Sequence, residues 1–276
     1  IILPPDGTEA FKFIKEAVQQ YPELYFARLV VIGEGDSEEV VFNRLMKVYE
    51  KNFDDHFISF VPLGHRFVNH IWQLLDSLHI PYVTLLDLDK ERAGGGWGRI
   101  KYVLTQLMKK GIPKEELLQT NEGVLTDERF KTMHTWEHGS EHLNGWVTFL
   151  EQYDVFFSSP LDLDFLFLEH YTDQYKAIVP KGGGPRIPCK EAEAVEYEEK
   201  LSKGVTATLK SETATGETYT DDQKELMTWY SYHFLSRGKP STHIQALTTM
   251  SDDDLEDNMP PVIEKIFKRI EQIIVS

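Results

Sequence analysis

Cysteine is nearly missing. Cys189 is the only one, so the chain holds no internal disulfide and no Cys-rich zinc site, and it points to a reducing compartment with the cytoplasm as the default. Long apolar runs are missing too. None approaches the roughly 18 residues that a membrane span requires, and the opening Ile1-Ile2-Leu3-Pro4-Pro5-Asp6 has neither an initiator Met nor a signal-peptide pattern. The sequence therefore reads as a fragment of a longer protein. Basic residues are scarce: 29 Lys and Arg against 45 Asp and Glu leave a formal charge of −16, which argues against gripping a polyanion with the whole surface. A nucleic-acid partner would need a local basic patch or bound cations. What is present, 276 residues at 41% hydrophobic and 27% charged, suits one large or two modest packed domains.

Four short runs rich in β-branched and aromatic residues, at 29–32, 57–63, 82–86 and 155–157, are bounded by polar or Gly/Pro punctuation and read as buried strands. Helical periodicity follows three of them. Val41, Leu45, Val48 and Tyr49 share one face, as do Phe67, Ile71, Leu74, Leu75 and Leu78, and then Ile100, Val103, Leu104, Leu107 and Met108, with Gly111 at the C′ position. Strand alternating with helix predicts an α/β fold with a parallel sheet, whose functional groups gather at the carboxyl ends of the strands. Residues 1–27 read as a lead-in from an absent upstream domain, 28–186 as the α/β domain and 187–276 as a helical subdomain. Within the last, the Thr, Ser, Gly, Glu and Lys of 203–220 predict a mobile connector, and 221–235 and 261–275 predict helices.

The strand ends carry acids. The first runs into Gly33-Glu34-Gly35-Asp36-Ser37-Glu38-Glu39, where Asp36 reads as a helix N-cap and Glu39 as the partner that closes a capping box. Neither role explains Glu34, and Glu38, four residues on, can turn toward the same mouth. The third strand ends Asp87-Leu88-Asp89, and a period of two sends both aspartates to one side and Leu88 into the core. The fourth is followed by Asp162-Leu163-Asp164, either of whose acids could start a helix or join the cluster. Hard oxygen ligands converging from three strand ends suit Mg²⁺ or Mn²⁺, and two such ions would activate a water on a phosphodiester and supply the positive potential that the protein lacks.

Gly33-Glu34-Gly35 followed by Asp87-Leu88-Asp89 resembles the Toprim domain of topoisomerases, primases and certain nucleases. The longer string 34–39, the Gly64-His65 turn, Leu78-His79-Ile80-Pro81-Tyr82-Val83 and the Asp-Leu-Asp after it are similar to the overcoming-lysogenization-defect (OLD) family of ATPase-coupled nucleases, over roughly residues 28–170. The resemblance implies a Toprim-like parallel sheet with an added C-terminal helical subdomain, and a metal-dependent DNA endonuclease of the kind used in phage defence. It implies two divalent cations, Mg²⁺ or Mn²⁺, held by Glu34, Glu38, Asp87 and Asp89 with Asp162 and Asp164. It also implies a transition-state lysine, for which Lys239 in Arg237-Gly238-Lys239-Pro240 is the best match. The implied partners are DNA, an ATPase domain upstream in the same protein and a helicase-like protein. No G-x-x-x-x-G-K-[ST] loop occurs here, so the chain is expected to be the nuclease half alone. Gly33 stands where the family usually has an apolar residue, which predicts a first strand ending one residue early. The alternative function is a non-catalytic, metal-stabilised nucleic-acid-binding or regulatory module.

Other motifs carry less. His138-Gly139-Ser140-Glu141-His142 matches H-x-x-E-H, but its glycine weakens the helix that such a zinc site needs. Gly94-Gly95-Gly96-Trp97-Gly98-Arg99 lacks the spacing of a dinucleotide loop; it reads either as a flexible crossover or as a place where Arg92, Arg99 and Lys101 meet a DNA phosphate. The run into Asp87-Leu88-Asp89 also resembles haloacid-dehalogenase phosphatases, but Glu91 stands where Thr or Val is expected, and Glu34 would be idle. A Toprim topoisomerase would need a further domain bearing a nucleophilic tyrosine.

Overall fold

The computed structural model describes residues 6–49, 57–62, 68–139 and 141–275. Four strands, β1 (Leu29–Gly33), β2 (Ile58–Pro62), β3 (Tyr82–Asp87) and, after a two-residue hairpin β4 (Gln119–Thr120) and β5 (Gly123–Val124), β6 (Val155–Ser158), hold the four apolar runs of the sequence. Their order is β2-β1-β3-β6 and every pairing is parallel. The expected early end of β1 is corrected, because Gly33 is paired with Pro62 as a full strand residue. Leu63 and the Gly64-His65 turn lie outside the described residues.

Alternation along the strands divides the core in two. Leu29, Val31, Val83, Leu85 and Phe156 face one layer, while Val30, Ile32, Leu86, Val155 and Phe157 face the other. The second layer is closed by α1 (Glu9–Gln20), α3 (Val68–Leu78), α4 (Trp97–Lys109) and α7 (Glu141–Leu150), with Ile14, Ile71, Trp72, Ile100, Leu104 and Leu143 buried between them and the sheet. The first layer begins with α2 (Asp36–Tyr49). Because β1 leaves to α2 on one face and β3 leaves to α4 on the other, a crevice opens between their carboxyl ends.

Short helices α5 (Lys114–Leu117) and α6 (Asp127–Thr132) flank the small hairpin. After β6 come α8 (Leu163–His170), α9 (Thr172–Ala177), α10 (Ala194–Leu209), α11 (Asp221–Tyr230) with a π-helical extension at Ser231–Leu235, α12 (Lys239–Leu247), α13 (Asp252–Asp257) and α14 (Pro261–Val275). These do not stand apart from the sheet. Ile263, Ile266, Phe267 and Ile270 of α14 lie in the same buried cluster as Val31, Val83 and Phe156, and α14 contacts β1, β3 and β6. The connector expected over 203–220 is corrected as well. Residues 203–209 complete α10, and beyond them Gly216 N–H and the Thr218 N–H and hydroxyl donate to the Glu91 carboxylate, while buried Tyr219 donates to the Lys90 carbonyl.

Candidate metal centre

Gly33 is required by what surrounds it. A Cβ there would lie 2.5 Å from Phe60 Cζ and 2.9 Å from Glu38 Cβ. We expect Gly33→Ala to cost about 1–3 kcal/mol by overpacking, read by chemical denaturation, whereas Gly35→Ala, whose Cβ would meet only a Glu38 oxygen at 3.6 Å, serves as the mild control. Glu34 then turns into the crevice, where its Oε1 accepts the Asp87 N–H at 3.0 Å and so ties the end of β1 to the end of β3. The capping arrangement differs from the expected one. Helix α2 begins at Asp36, and Glu38, not Glu39, reaches back to accept the Gly35 N–H at 3.1 Å, which buries its carboxylate in the same crevice.

Asp87 ends β3, and its Oδ1 accepts from Ser158 Oγ at 2.8 Å and from the Leu163 N–H at 3.3 Å. Asp89 does not reach the site by strand alternation. It adopts φ +53°, in the left-handed region, and the chain folds back so that Gly96 N–H donates to the Leu88 carbonyl at 2.6 Å. Gly95 makes this possible, since a Cβ there would fall 1.8 Å from the Asp89 carbonyl oxygen. The glycine-rich loop thus serves a close backbone approach to Asp89. Its two arginines grip the same carboxylate, Arg92 Nη1 on Oδ1 at 2.7 Å and Arg99 Nη2 on Oδ2 at 2.5 Å, with Arg99 also 3.5 Å from Glu34.

Asp162 takes both roles left open by the sequence. One oxygen caps α8 by accepting the Phe165 N–H at 2.9 Å, and the other accepts from Arg92 Nη1 at 2.9 Å and from the Tyr230 hydroxyl at 2.6 Å. Asp164 is buried two residues further on, in the first turn of α8. Its Oδ1 accepts from His243 Nε2 at 2.8 Å and its Oδ2 from Lys239 Nζ, an ammonium that also stands 3.9 Å from Asp162.

Six carboxylates therefore meet three cations, Arg92, Arg99 and Lys239, and the cations are unevenly spread. Burial opposes the charge of Asp89, but Arg92 and Arg99 outweigh it and hold the group below the usual carboxylate range. Burial opposes Asp164 too, and His243 with Lys239 overcomes it. On the other side Glu38 and Asp87 form no ion pair among the described residues, and Arg99 and Lys239 act on Asp87 only from a distance. Burial first, then Asp164, Glu34 and Asp162, push Glu38 up to about 8, and burial with Glu34, Glu38, Asp162 and Asp89 pushes Asp87 well above its ordinary value. Oxygens of Asp87, Asp89 and Asp162 lie within 4.8 Å of one another. An all-carboxylate donor set in which Asp87 and its neighbour Glu38 are in no ion pair among the described residues fits a hard divalent cation.

The other expected phosphate contacts are engaged elsewhere. Arg92 is spent inside the site, where its Nε also donates to the Thr208 carbonyl and its Nη2 to Tyr230, and Lys101 Nζ donates to the Lys131 carbonyl at 2.6 Å. His138 precedes α7 and accepts the Glu91 N–H at 3.2 Å, so the H-x-x-E-H string does not put its histidines on one helix; Ser140 lies outside the described residues. Sequence reasoning missed Tyr230 and His243. The first carries no local signal, but the i, i+4 spacing of Lys239 and His243 is readable as one helical face.

Residues 25–89 match the family model for the overcoming lysogenization defect protein-like TOPRIM domain. Among solved structures, the C-terminal region of the Xanthomonas campestris pv. campestris OLD protein superposes with a TM-score of 0.52 at 20% identity, covering 92% of this chain and 96% of that one. The C-terminal region of the Burkholderia pseudomallei OLD protein gives 0.53 at 16% identity, covering 90% and 99%. No match is found among curated proteins.

Proposed function

We propose that this chain, whose residues 25–89 are an OLD-like Toprim domain and whose fold is that of an OLD C-terminal region, is a metal-dependent DNA endonuclease, the catalytic half of an ATPase-nuclease. The observation that carries the reading is the convergence of Glu34, Glu38, Asp87, Asp89, Asp162 and Asp164 on one crevice, with Asp87 and Glu38 in no ion pair among the described residues. These carboxylates would hold two divalent cations, Mg²⁺ or Mn²⁺, which when bound supply a nucleophilic water at neutral pH and neutralise the leaving oxygen. Lys239, half exposed at the rim, presents its ammonium where charge develops on a bound phosphate. The polyanion is drawn to the site by cations and not by the acidic surface, so DNA affinity is weak and metal-dependent, and tight binding belongs to an upstream ATPase domain. Among the described residues no helix is long and apolar enough to cross a membrane.

The test is nicking of supercoiled plasmid in Mg²⁺ or Mn²⁺, abolished by a chelator. Lys239→Ala is expected to lower kcat about 100-fold, the usual cost of removing one donor to a developing anion, while Mn²⁺ affinity changes much less. Unchanged turnover would remove the lysine from the chemistry. Wild-type protein that binds Mn²⁺ but leaves DNA intact would favour a non-catalytic metal-stabilised module, a reading that the two guanidiniums already seated on Asp89 also accommodate.

A further inference from the structure

Behind the metal centre runs a buried polar chain. His243 and Tyr175 are both fully buried, and Tyr175 Oη lies 2.5 Å from His243 Nδ1, whose other ring nitrogen is on Asp164. Asp164 as a carboxylate can only accept, so His243 donates to it from Nε2, while Nδ1 shares a hydrogen bond with the Tyr175 hydroxyl.

We infer that Tyr175 and His243 are positioning residues that orient Asp164 toward the metal centre and, through the shared helix α12, set the reach of Lys239. Three residues on one face of α12 anchor it. Lys239 and His243 take the two oxygens of the same carboxylate, and Thr242 donates at 3.1 Å to the His233 carbonyl in the π-helical turn. A hydrophobic pair would pack this interior at least as well, because burying polar groups is often neutral or worse for stability than an apolar replacement of the same shape. The surrounding cage is built of rings, with His233 among them. Tyr175 packs edge-on against Phe234 and His243, with ring centroids 5.8 and 5.7 Å apart, and Phe234 stacks on His243 at 5.1 Å. The buried hydroxyl and imidazole therefore act on the direction of Asp164, as hydrogen-bonded partners do for ligands at metal sites. This inference rests on Asp164 belonging to the metal centre.

Mn²⁺ titration and metal-free melting of the full chain test it on three variants. Tyr175→Phe removes one hydroxyl from an otherwise intact ring, His243→Leu removes the whole relay, and His243→Gln keeps a donor near the Nε2 position. The Kd for Mn²⁺ is expected to rise about 10-fold in Tyr175→Phe and at least as much in His243→Leu, the usual cost of losing a partner that aims a metal ligand. His243→Gln is expected to restore most of that loss. Variants that bind Mn²⁺ as the wild type does, whatever their melting temperatures, would overturn the relay while leaving the nuclease reading intact. A wild type that binds no Mn²⁺ would remove both. If His243→Leu fails to fold, the Tyr175→Phe value decides.

Discussion

Asp87→Asn is expected to raise the melting temperature of the metal-free protein while abolishing both Mn²⁺ binding and DNA nicking. The two halves of this result share one cause. Asp87 sits among Glu34, Glu38, Asp89 and Asp162 and is in no ion pair among the described residues, so burial and like charge drive its pKa up. An asparagine removes the unfavourable charge and keeps an oxygen for the Ser158 hydroxyl. Relief of this buried like charge is expected to show as a rise of a few degrees in melting temperature. The pH dependence has a definite sign. A carboxylate whose folded pKa is raised stabilises the fold fully below its unfolded pKa and loses that contribution as pH rises through the folded value, which for Glu38 spans about 4.5 to about 8. Buried His233, pushed down to about 4, opposes this trend below pH 6.5, so the two carboxylates act against little opposition between about pH 6.5 and 8. Metal-free protein should therefore melt at a higher temperature at pH 6.5 than at pH 8, and saturating Mg²⁺ should flatten the difference. A melting temperature that rises with pH across that interval in the absence of metal would contradict the electrostatic reading of the site.

Arg92→Met is expected to have the largest effect on stability of any single change at the site. The guanidinium uses its whole fork: Nε on the Thr208 carbonyl, Nη1 on Asp89 and Asp162, and Nη2 on the Tyr230 hydroxyl. Removing it leaves two buried carboxylates facing each other, and breaking such a pair from one side costs about 3–5 kcal/mol. That corresponds to a fall of roughly 10 °C in melting temperature. Arg92→Lys should recover little of it, because a point charge cannot reach four acceptors in a plane. Added Mg²⁺ should recover part, since a divalent ion restores the missing charge between Asp89 and Asp162. A variant that melts with the wild type would mean that the arginine is incidental to the fold.

Much of this was legible in the sequence. Punctuated apolar runs located every strand of the main sheet, and the rule that function gathers at carboxyl strand ends located the acids. The roles of Arg92 and Arg99 were not legible, because they depend on a left-handed residue at Asp89 and on a backbone approach at Gly95 that leaves no room for a Cβ, neither of which has a periodicity. The second half of α10 was hidden for a related reason. Its Thr, Ser and Gly have poor helix propensity, yet Gly204 is what lets α10 lie against α11, where a Cβ would fall 2.7 Å from Thr228 Oγ1. Packing overrode propensity. His243 is a single histidine on a helix, and nothing short of the fold shows that Asp164 awaits it.

The cover that α14 gives to one face of the sheet has a consequence for the order in which a ribosome delivers this protein. Every acid of the crevice lies at or before residue 164, but Lys239, His243 and the apolar face of Pro261–Val275 follow it by 75 residues or more. A nascent chain displays its carboxylates while Val31, Val83 and Phe156 still lack the α14 part of their cover. The groups that complete the crevice, Lys239 and His243, and the α14 part of the sheet's cover are therefore synthesised last.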